Sequence, residues 1–234
     1  MASTLPHIAD HIIQVDDMYV QQQFEETRPE VLDALVKAHS LATLVVQGNS
    51  GLLVNHIPLL LCQSVDGRRV LRGHVARANP LWRELSAGRE AVAVFQGPDA
   101  YVTPSWYASK KVDGKVVPTW NYAVVHVHGV PRAIEDAPWL LAHLKEMSEE
   151  QERGEVDPWA LSDAPTDYIE RLLGAIVGIE IPVSKIIGKW KVSQNRPLAD
   201  RLGVAAGLME RADDKSLAMA ELVQQHAGNT PVKS

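Results

Sequence analysis

Two apolar, partly β-branched runs flank the tetrapeptide Gly48-Asn49-Ser50-Gly51 in the stretch LATLVVQGNSGLLVNHIPLLLC. Glycine and asparagine supply the backbone conformations that a tight turn needs, and the flanking runs suit a pleated sheet. The pattern predicts a β-hairpin, which commits the early part of the chain to antiparallel pairing. A fold built from repeated βαβ units does not fit such a start.

Further strands and helices follow in an irregular order. Apolar residues at helical spacing predict a helix from Arg28. Additional strands are expected in RRVLRGHV, EAVAVFQG, VVPTWNYAVVHVHGVPRAI and, as two separate strands, IVGIEIPVSKIIGKWKVS. Additional helices are expected in NPLWRELSAG, DAPWLLAHLKEMSEEQE, APTDYIERLLGA and most of the chain after Pro197.

Antiparallel strands in short succession, with helices inserted and appended, predict a β-barrel with helices, in the α+β class. We expect three segments: an N-terminal extension over 1–17, a barrel domain with a helical insertion over 18–196, and a C-terminal helical segment and tail over 197–234. The chain has no Gly-x-Gly-x-x-Gly, Walker or Gly-x-Ser-x-Gly motif. Nucleotide-binding α/β folds and serine hydrolases therefore lose their usual sequence support.

Composition narrows the class of protein. A net charge of -6 gives the chain no basic excess with which to neutralise phosphates, so direct nucleic-acid binding is disfavoured. The single cysteine, Cys62, excludes an internal disulfide and a paired-cysteine metal site. With no signal-peptide pattern and no run of about 18 apolar residues, a cytoplasmic protein without membrane partners is expected.

His126 and His128 stand two residues apart in VVPTWNYAVVHVHG, so on a strand both project from one face. A metal site needs at least three ligands, and this segment offers no Asp, Glu or Cys. His56 and His74 could complete a three-histidine site from other strands. A polar face that hydrogen-bonds a ligand is the favoured interpretation, and no metal site is predicted.

Three stretches share one composition: GHVARANPLW, PSWYASKK and GKWKVSQNR each combine a cation, a hydroxyl or amide, and an aromatic ring. Such groups suit a ligand with a flat ring and an anionic tail, because cations and hydroxyls hold a phosphate while aromatic rings cover the flat face. For any one stretch, packing of the tryptophan and solvation of the cations is the simpler explanation. Together they favour a binding site.

Long motifs then occur in a characteristic order between Met18 and Leu208: MYVQQQFEE, LATLVVQGNSGLLVNHIPLLL, GHVARANPLWREL, VFQGPDAYVTPSWYASK, VVPTWNYAVVHVHG, PWALSDAP, AIVGIEIPVSKIIGKWKVSQNR and DRLGVAAGL. This set resembles the PaiB family of FMN-binding negative transcriptional regulators. The resemblance implies a split β-barrel of the FMN-binding type, similar to pyridoxamine-phosphate oxidases and flavin reductases. It also implies a homodimer with FMN at the subunit interface.

The resemblance implies a set of cofactor-binding residues, carried over motif by motif. They are His74, Arg77 and Asn79 for the phosphate; Ser105, Trp106, Tyr107 and Lys110; Thr119, Trp120, Asn121 and Tyr122; and Lys189, Lys191, Ser193, Gln194 and Arg196. No catalytic residue is assigned, because the flavin carries the electron chemistry and the protein positions it. A role as a flavin-dependent oxidoreductase stays open at this point.

Two alternatives to a flavin-binding protein also stay open. Some split barrels handle haem, and His126, His128 or His74 could supply an axial ligand. A direct DNA-binding repressor is the second, because LADRLGVAAGLME is spaced like the first helix and turn of a helix-turn-helix. The would-be recognition helix AAGLMERADDK is acidic, so we interpret the segment as a packing or dimer helix.

Overall fold

The computed structural model describes residues 18–64 and 66–227, so the extension predicted over 1–17 lies outside the described residues. The strands are β1 (Glu25–Glu26), β2 (Leu41–Gly48), β3 (Gly51–Pro58), β4 (Leu60–Gln63), β5 (Arg69–Ala76), β6 (Ala91–Val102), β7 (Thr119–Gly129), β8 (Arg132–Ile134) and β9 (Ile176–Lys191). The helices are α1 (Pro29–Ala38), α2 (Leu81–Glu84), α3 (Ala137–Gln151), α4 (Thr166–Gly174), α5 (Leu198–Arg211) and α6 (Asp214–Ala227).

The hairpin predicted around Gly48 and Gly51 is confirmed. Strands β2 and β3 pair antiparallel from Leu41 opposite Pro58 to Gly48 opposite Gly51. Gly51 has a φ of 131°, a conformation that a residue with a side chain rarely adopts. The paired strands run in the order β3-β2-β6-β7-β9-β5-β4, and the pairs are antiparallel, as expected.

Strand β9 joins the two parts of this sheet. The sequence predicted two strands here, and that prediction is wrong, because Ile176–Lys191 forms one strand of 16 residues. Its first part pairs with β5 and β8, and its second part pairs with β7 and β1. Pro182 lies where β9 changes partners, so its missing N–H interrupts little of either ladder.

The two C-terminal helices complete the same hydrophobic core as the sheet. Val204 and Leu208 of α5, and Met219 and Val223 of α6, are buried with the inward-facing residues of the strands. Helix α5 runs without interruption through Gly203, where a helix-turn-helix would place its turn. The interpretation of this segment as a packing helix therefore fits the structure.

Among the described residues, no helix combines the length and the apolar character that crossing a bilayer requires.

Candidate functional site

Strand β7 divides its side chains cleanly between two faces. Ala123, Val125 and Val127 are buried in the core, whereas on the outer face His126 is half-buried and its neighbours Val124 and His128 are each 5% exposed. The two imidazole rings are 6.5 Å apart, which confirms that both project from one face. Burial lowers the pKa of His126, and the nearby His128 and Lys189 lower it further, so the ring is neutral at pH 7.

Strands β7 and β9 bring two of the predicted motifs together. Tyr122 pairs with Lys191, and the Lys189 ammonium lies 5.5 Å from the centre of the Tyr122 ring. The Lys191 ammonium donates to the Thr119 hydroxyl. A cation over an aromatic ring, beside a second cation, can meet both the ring and the anionic tail of a ligand.

Behind this surface, two buried polar residues fix the ends of the strands. The Asn121 amide donates to the Ser193 hydroxyl at 2.9 Å. Gln194 folds back onto β9, because its amide oxygen accepts from the Val192 N–H at 2.8 Å. These residues therefore support the positions of Tyr122 and Lys191 from the inner side.

The loop carrying Ser105, Trp106, Tyr107 and Lys110 is fastened to α5. The backbone N–H and the hydroxyl of Ser109 donate to the buried Asp200 carboxylate at 2.9 and 2.7 Å. Trp106 packs on Gly203 and Gly207, where an added Cβ would come within 2.0 and 2.2 Å of it. Because these two positions carry no side chain, the Trp106 backbone packs closely on Gly203 and its indole packs closely on Gly207.

The two aromatic residues of this loop differ in their surroundings from Trp120. Tyr107 is buried under the Arg196 guanidinium, 4.7 Å from its ring centre, and burial raises the pKa of its phenol. Ser105 and Lys110 stay at the surface, where the Lys110 ammonium lies 3.4 Å from the Ser105 hydroxyl. Trp120 is 54% exposed and meets the Tyr101 ring edge-on at 5.9 Å. Of Trp106, Tyr107 and Trp120, it is therefore Trp120 that is most open to a ligand.

The predicted phosphate residues lie elsewhere, at the end of β5. Nδ1 of His74 is 3.2 Å from Nε2 of His143 on α3. Nε of Arg77 donates to the Gly174 carbonyl at 2.9 Å, Nη2 donates to the Ile176 carbonyl at 3.2 Å, and Nη1 donates to Glu135. In the described residues, none of these hydrogen bonds or ion pairs reaches the β7 motif.

Asn79 completes this second group by shaping the turn before α2. Its amide donates to the Asn55 side chain at 2.8 Å, and its oxygen accepts from the Leu81 N–H at 2.9 Å. Hydrogen bonds and ring contacts thus divide the predicted ligand residues of one chain into three groups, of which the loop over 105–110, with Arg196 over Tyr107, lies against α5. We call His74, Arg77 and Asn79 the β5 cluster, and Thr119 to Tyr122 with Lys189 and Lys191 the β7–β9 cluster.

Sequence reasoning missed His143, which covers the β5 cluster. His143 is 2% exposed and stacks on Trp139 at 5.3 Å, and Trp139 in turn lies against Gly178 of β9. Burial lowers the pKa of His143 to about 4, with smaller contributions from His74 and Arg72. The spacing of Trp139 and His143, four residues apart on one helix, is the signal that could have revealed this face.

Glu180 was also missed, although it holds two cations together. Burial raises the pKa of its carboxyl, but hydrogen bonds from Arg132 and Arg72 outweigh this effect, so the net pKa is lowered. Partial burial raises the pKa of the Cys62 thiol to about 12. Residues 18–64 and 66–227 contain no group of three or more His, Cys, Asp or Glu placed to hold a metal ion.

The family model described as "Putative FMN-binding domain" matches residues 18–185. The chain belongs to this FMN-binding, PaiB-type family. It is 32% identical to "Protease synthase and sporulation protein PAI 2" of Bacillus subtilis over 207 residues, covering 88% of this chain and 97% of that protein. The family match includes the β5 cluster and all of β7, whereas Lys189 to Arg196 lie beyond the matched residues.

Solved structures confirm the fold as a split barrel of the FMN-binding type. The flavocytochrome Anf3 from Azotobacter vinelandii superposes with a TM-score of 0.54 at 16% identity, covering 75% of this chain and 73% of that chain. The FAD and heme binding protein from Mycobacterium smegmatis gives a TM-score of 0.51 at 16% identity, covering 71% and 73%. At such identities the likeness concerns the fold alone.

Proposed function

We propose that this protein binds FMN between two copies of itself, with the β5 cluster of one copy and the β7–β9 cluster of the other on the same ligand. The observation that carries the proposal is the separation of the two clusters within one chain. A site that needs both an anion-binding turn and an aromatic surface is incomplete in a single protomer, and a second copy supplies the missing half.

The outer face of the sheet supports a symmetric dimer. Leu52 and Val54 of β3 are 68% and 56% exposed, and Val45 and Val92 continue the apolar row across β2 and β6. This row ends on His128 of β7, which pairs with Lys185, so it lies on the two strands that carry the β7–β9 cluster. Burial of an exposed apolar sheet face is stabilising, and the simplest way to bury it is to pack it against the same face of a second copy.

The residues present fit FMN chemically. Trp120 and Tyr122 would cover the flat ring, and Lys189 and Lys191 bring two cations beside it. Arg77 already binds three oxygen atoms, but one belongs to the exposed carboxylate of Glu135, which a phosphate can replace because an exposed ion pair contributes little. Bound FMN would supply one- or two-electron transfer, and the chain would bind it, orient it and exclude water.

A regulatory role, in this proposal, acts through the flavin rather than through contact with DNA. Helix α5 runs without a turn through Gly203, where a helix-turn-helix would have one, and this supports an indirect role. Weak oxidoreductase activity is part of the same proposal, because a bound flavin next to an open surface can exchange electrons with a small molecule.

The decisive experiment is a visible absorption spectrum of the purified protein, followed by titration of the flavin-free form with FMN and by measurement of the molar mass in solution. We expect saturable FMN binding and a dimer. A monomer that still binds FMN would contradict the shared site, and a protein that binds no FMN would overturn the proposal.

Haem is the second candidate, and the neutral His126 on the outer face is the observation that favours it. The same spectrum after addition of haemin separates the two ligands, because ligation by histidine produces a Soret band that His126→Ala would remove. A variant with an unchanged band would exclude His126 as the axial ligand.

A further inference from the structure

A cavity of about 450 Å³ lies between α1 and α6, on the opposite side of β9 from the β7–β9 cluster. Its floor is Trp190, a buried residue whose neighbours Lys189 and Lys191 point to the other face of the strand. Val31 and Leu35 of α1 form one wall, and Leu222 of α6 forms the other. The volume falls within the range of about 300 to 1,000 Å³ typical of small-molecule sites.

Two features of the walls keep this space open. Ala34 of α1 and Ala218 of α6 line it with single methyl groups, so neither helix fills the gap between them. Pro98 lines it from β6, at a bulge where the register shifts between Gln96 and Asp99. Bulges are common next to functional sites, where they redirect a strand.

The rim of the cavity carries an excess of negative charge. The Arg28 guanidinium is neutralised by Glu26, to which its Nε and Nη2 donate at 2.9 and 2.6 Å. Glu30 and Glu221 also line the rim, and within residues 18–64 and 66–227 neither forms an ion pair. The charge of Glu30 acts on Arg28, which Glu26 already binds, so the three carboxylates of Glu26, Glu30 and Glu221 outnumber the one cation at the rim.

Two histidines at the rim provide hydrogen-bonding groups. Burial lowers the pKa of His39, so its ring is neutral at pH 7. Nδ1 of His226 lies 2.9 Å from the Leu222 carbonyl oxygen, which can only accept, so the proton is on Nδ1. In the neutral ring, Nε2 of His226 is then an acceptor, which suits a ligand that donates hydrogen bonds.

We propose that this cavity is a second small-molecule site, which takes a compact primary amine carrying an apolar or aromatic body. The body packs on Trp190 between Leu35 and Leu222, and the ammonium group lies at the rim near Glu30 and Glu221. Charge complementarity selects the cation, since an anion of the same shape meets two carboxylates. The site does not depend on FMN, because its lining residues belong to neither flavin cluster.

Calorimetric titration with 2-phenylethylamine tests this site, with 2-phenylethanol and 3-phenylpropanoate as neutral and anionic probes of similar shape. We expect saturable binding of the amine, weaker binding of the alcohol and none of the carboxylate. Amine binding that does not saturate, or a carboxylate that binds as tightly as the amine, would overturn the proposal.

Variants locate the binding. Ala34→Leu places a larger side chain in the cavity from an exposed helix position and should abolish amine binding, whereas Ala38→Leu, on the same helix but outside the cavity, should not. Glu221→Gln should weaken the amine about threefold, as expected for a partly screened ion pair, and Glu210→Gln on α5 should leave it unchanged. Wild-type affinity in Ala34→Leu would show that the amine binds elsewhere. FMN titration of Ala34→Leu should match wild type, which separates this test from that of the flavin site.

Discussion

Two pairs of histidines lie on the outer side of the same sheet and differ in their surroundings. His74 and His143 meet beneath α3, where His143 is 2% exposed, whereas in the second pair His128 is buried and His126 is half-buried. The difference lies in Trp139, which packs on Gly178 and holds α3 over β5 and the first part of β9. The same residue type thus packs under a helix in one half of the sheet, while in the other half His126 stays partly open to a partner or ligand.

Removal of the covered ring should have the largest effect. We expect His143→Ala to lower the free energy of unfolding by about 3 kcal/mol, because it leaves a cavity and deprives His74 of its hydrogen-bond partner. His126→Ala, on the open face, should cost less than about 1 kcal/mol. Urea denaturation of both variants at pH 7.5 provides the measurement, and equal losses would refute the comparison.

We expect low pH to destabilise the protein through the covered pair, because of His143. The pKa of His143 is about 4 in the folded protein, against an ordinary value of 6.5, so the unfolded chain binds more protons between these values. The contribution of the neutral His143 ring to the free energy of unfolding is therefore complete above pH 6.5. It declines as the pH falls toward 4, by a total on the order of 3 kcal/mol. Urea midpoints across this range should fall less steeply in His143→Gln, and parallel curves for variant and wild type would show that another group dominates.

Flavin binding tests whether the covered half contributes a ligand residue. We expect Arg77→Ala to weaken FMN binding by about 2 kcal/mol through loss of a charge-assisted phosphate contact. Arg171→Ala, an exposed cation on α4, serves as the control. Reduced stability of Arg77→Ala with unchanged FMN affinity would mean that Arg77 only joins α4 to β9.

The smallest effect is expected on the open half. Lys191→Gln should weaken FMN about fivefold, since the remaining cation Lys189 still faces the ligand. Lys185→Gln, on the same strand but six residues before Lys191, should bind FMN like wild type. Identical affinities for Lys191→Gln and Lys185→Gln would show that Lys191 does not contact the ligand.

Local patterns in the sequence predicted the elements well, because the information lies within each stretch. The hairpin follows from Gly48 to Gly51 and its flanking runs, and the start of α3 follows from Asp136, whose carboxylate accepts from the Trp139 N–H. The placement of His126 and His128 on one face follows from strand periodicity alone. Such features require no knowledge of what packs against them.

Features that depend on distant partners could not be obtained this way. The sequence predicted two strands over the stretch that contains Pro182, yet β9 continues because its two ladders exchange at that residue. His74 was predicted as a phosphate ligand, since nothing near it in the sequence indicates its contact with His143. The separation of the β5 cluster from the β7–β9 cluster likewise depends on which half of β9 each strand pairs with.

The late position of β9 in the sequence affects how the protein folds during its synthesis. Four strands, β1, β5, β7 and β8, pair with it, and of the strands in the described residues it is the last to be synthesised. Until residue 191 has been synthesised, β3-β2-β6-β7 and β4-β5 are two unconnected half-sheets, each with an open edge. Open edges invite pairing with other chains, so translation of this one segment ends the period in which the nascent protein is most exposed to misassembly.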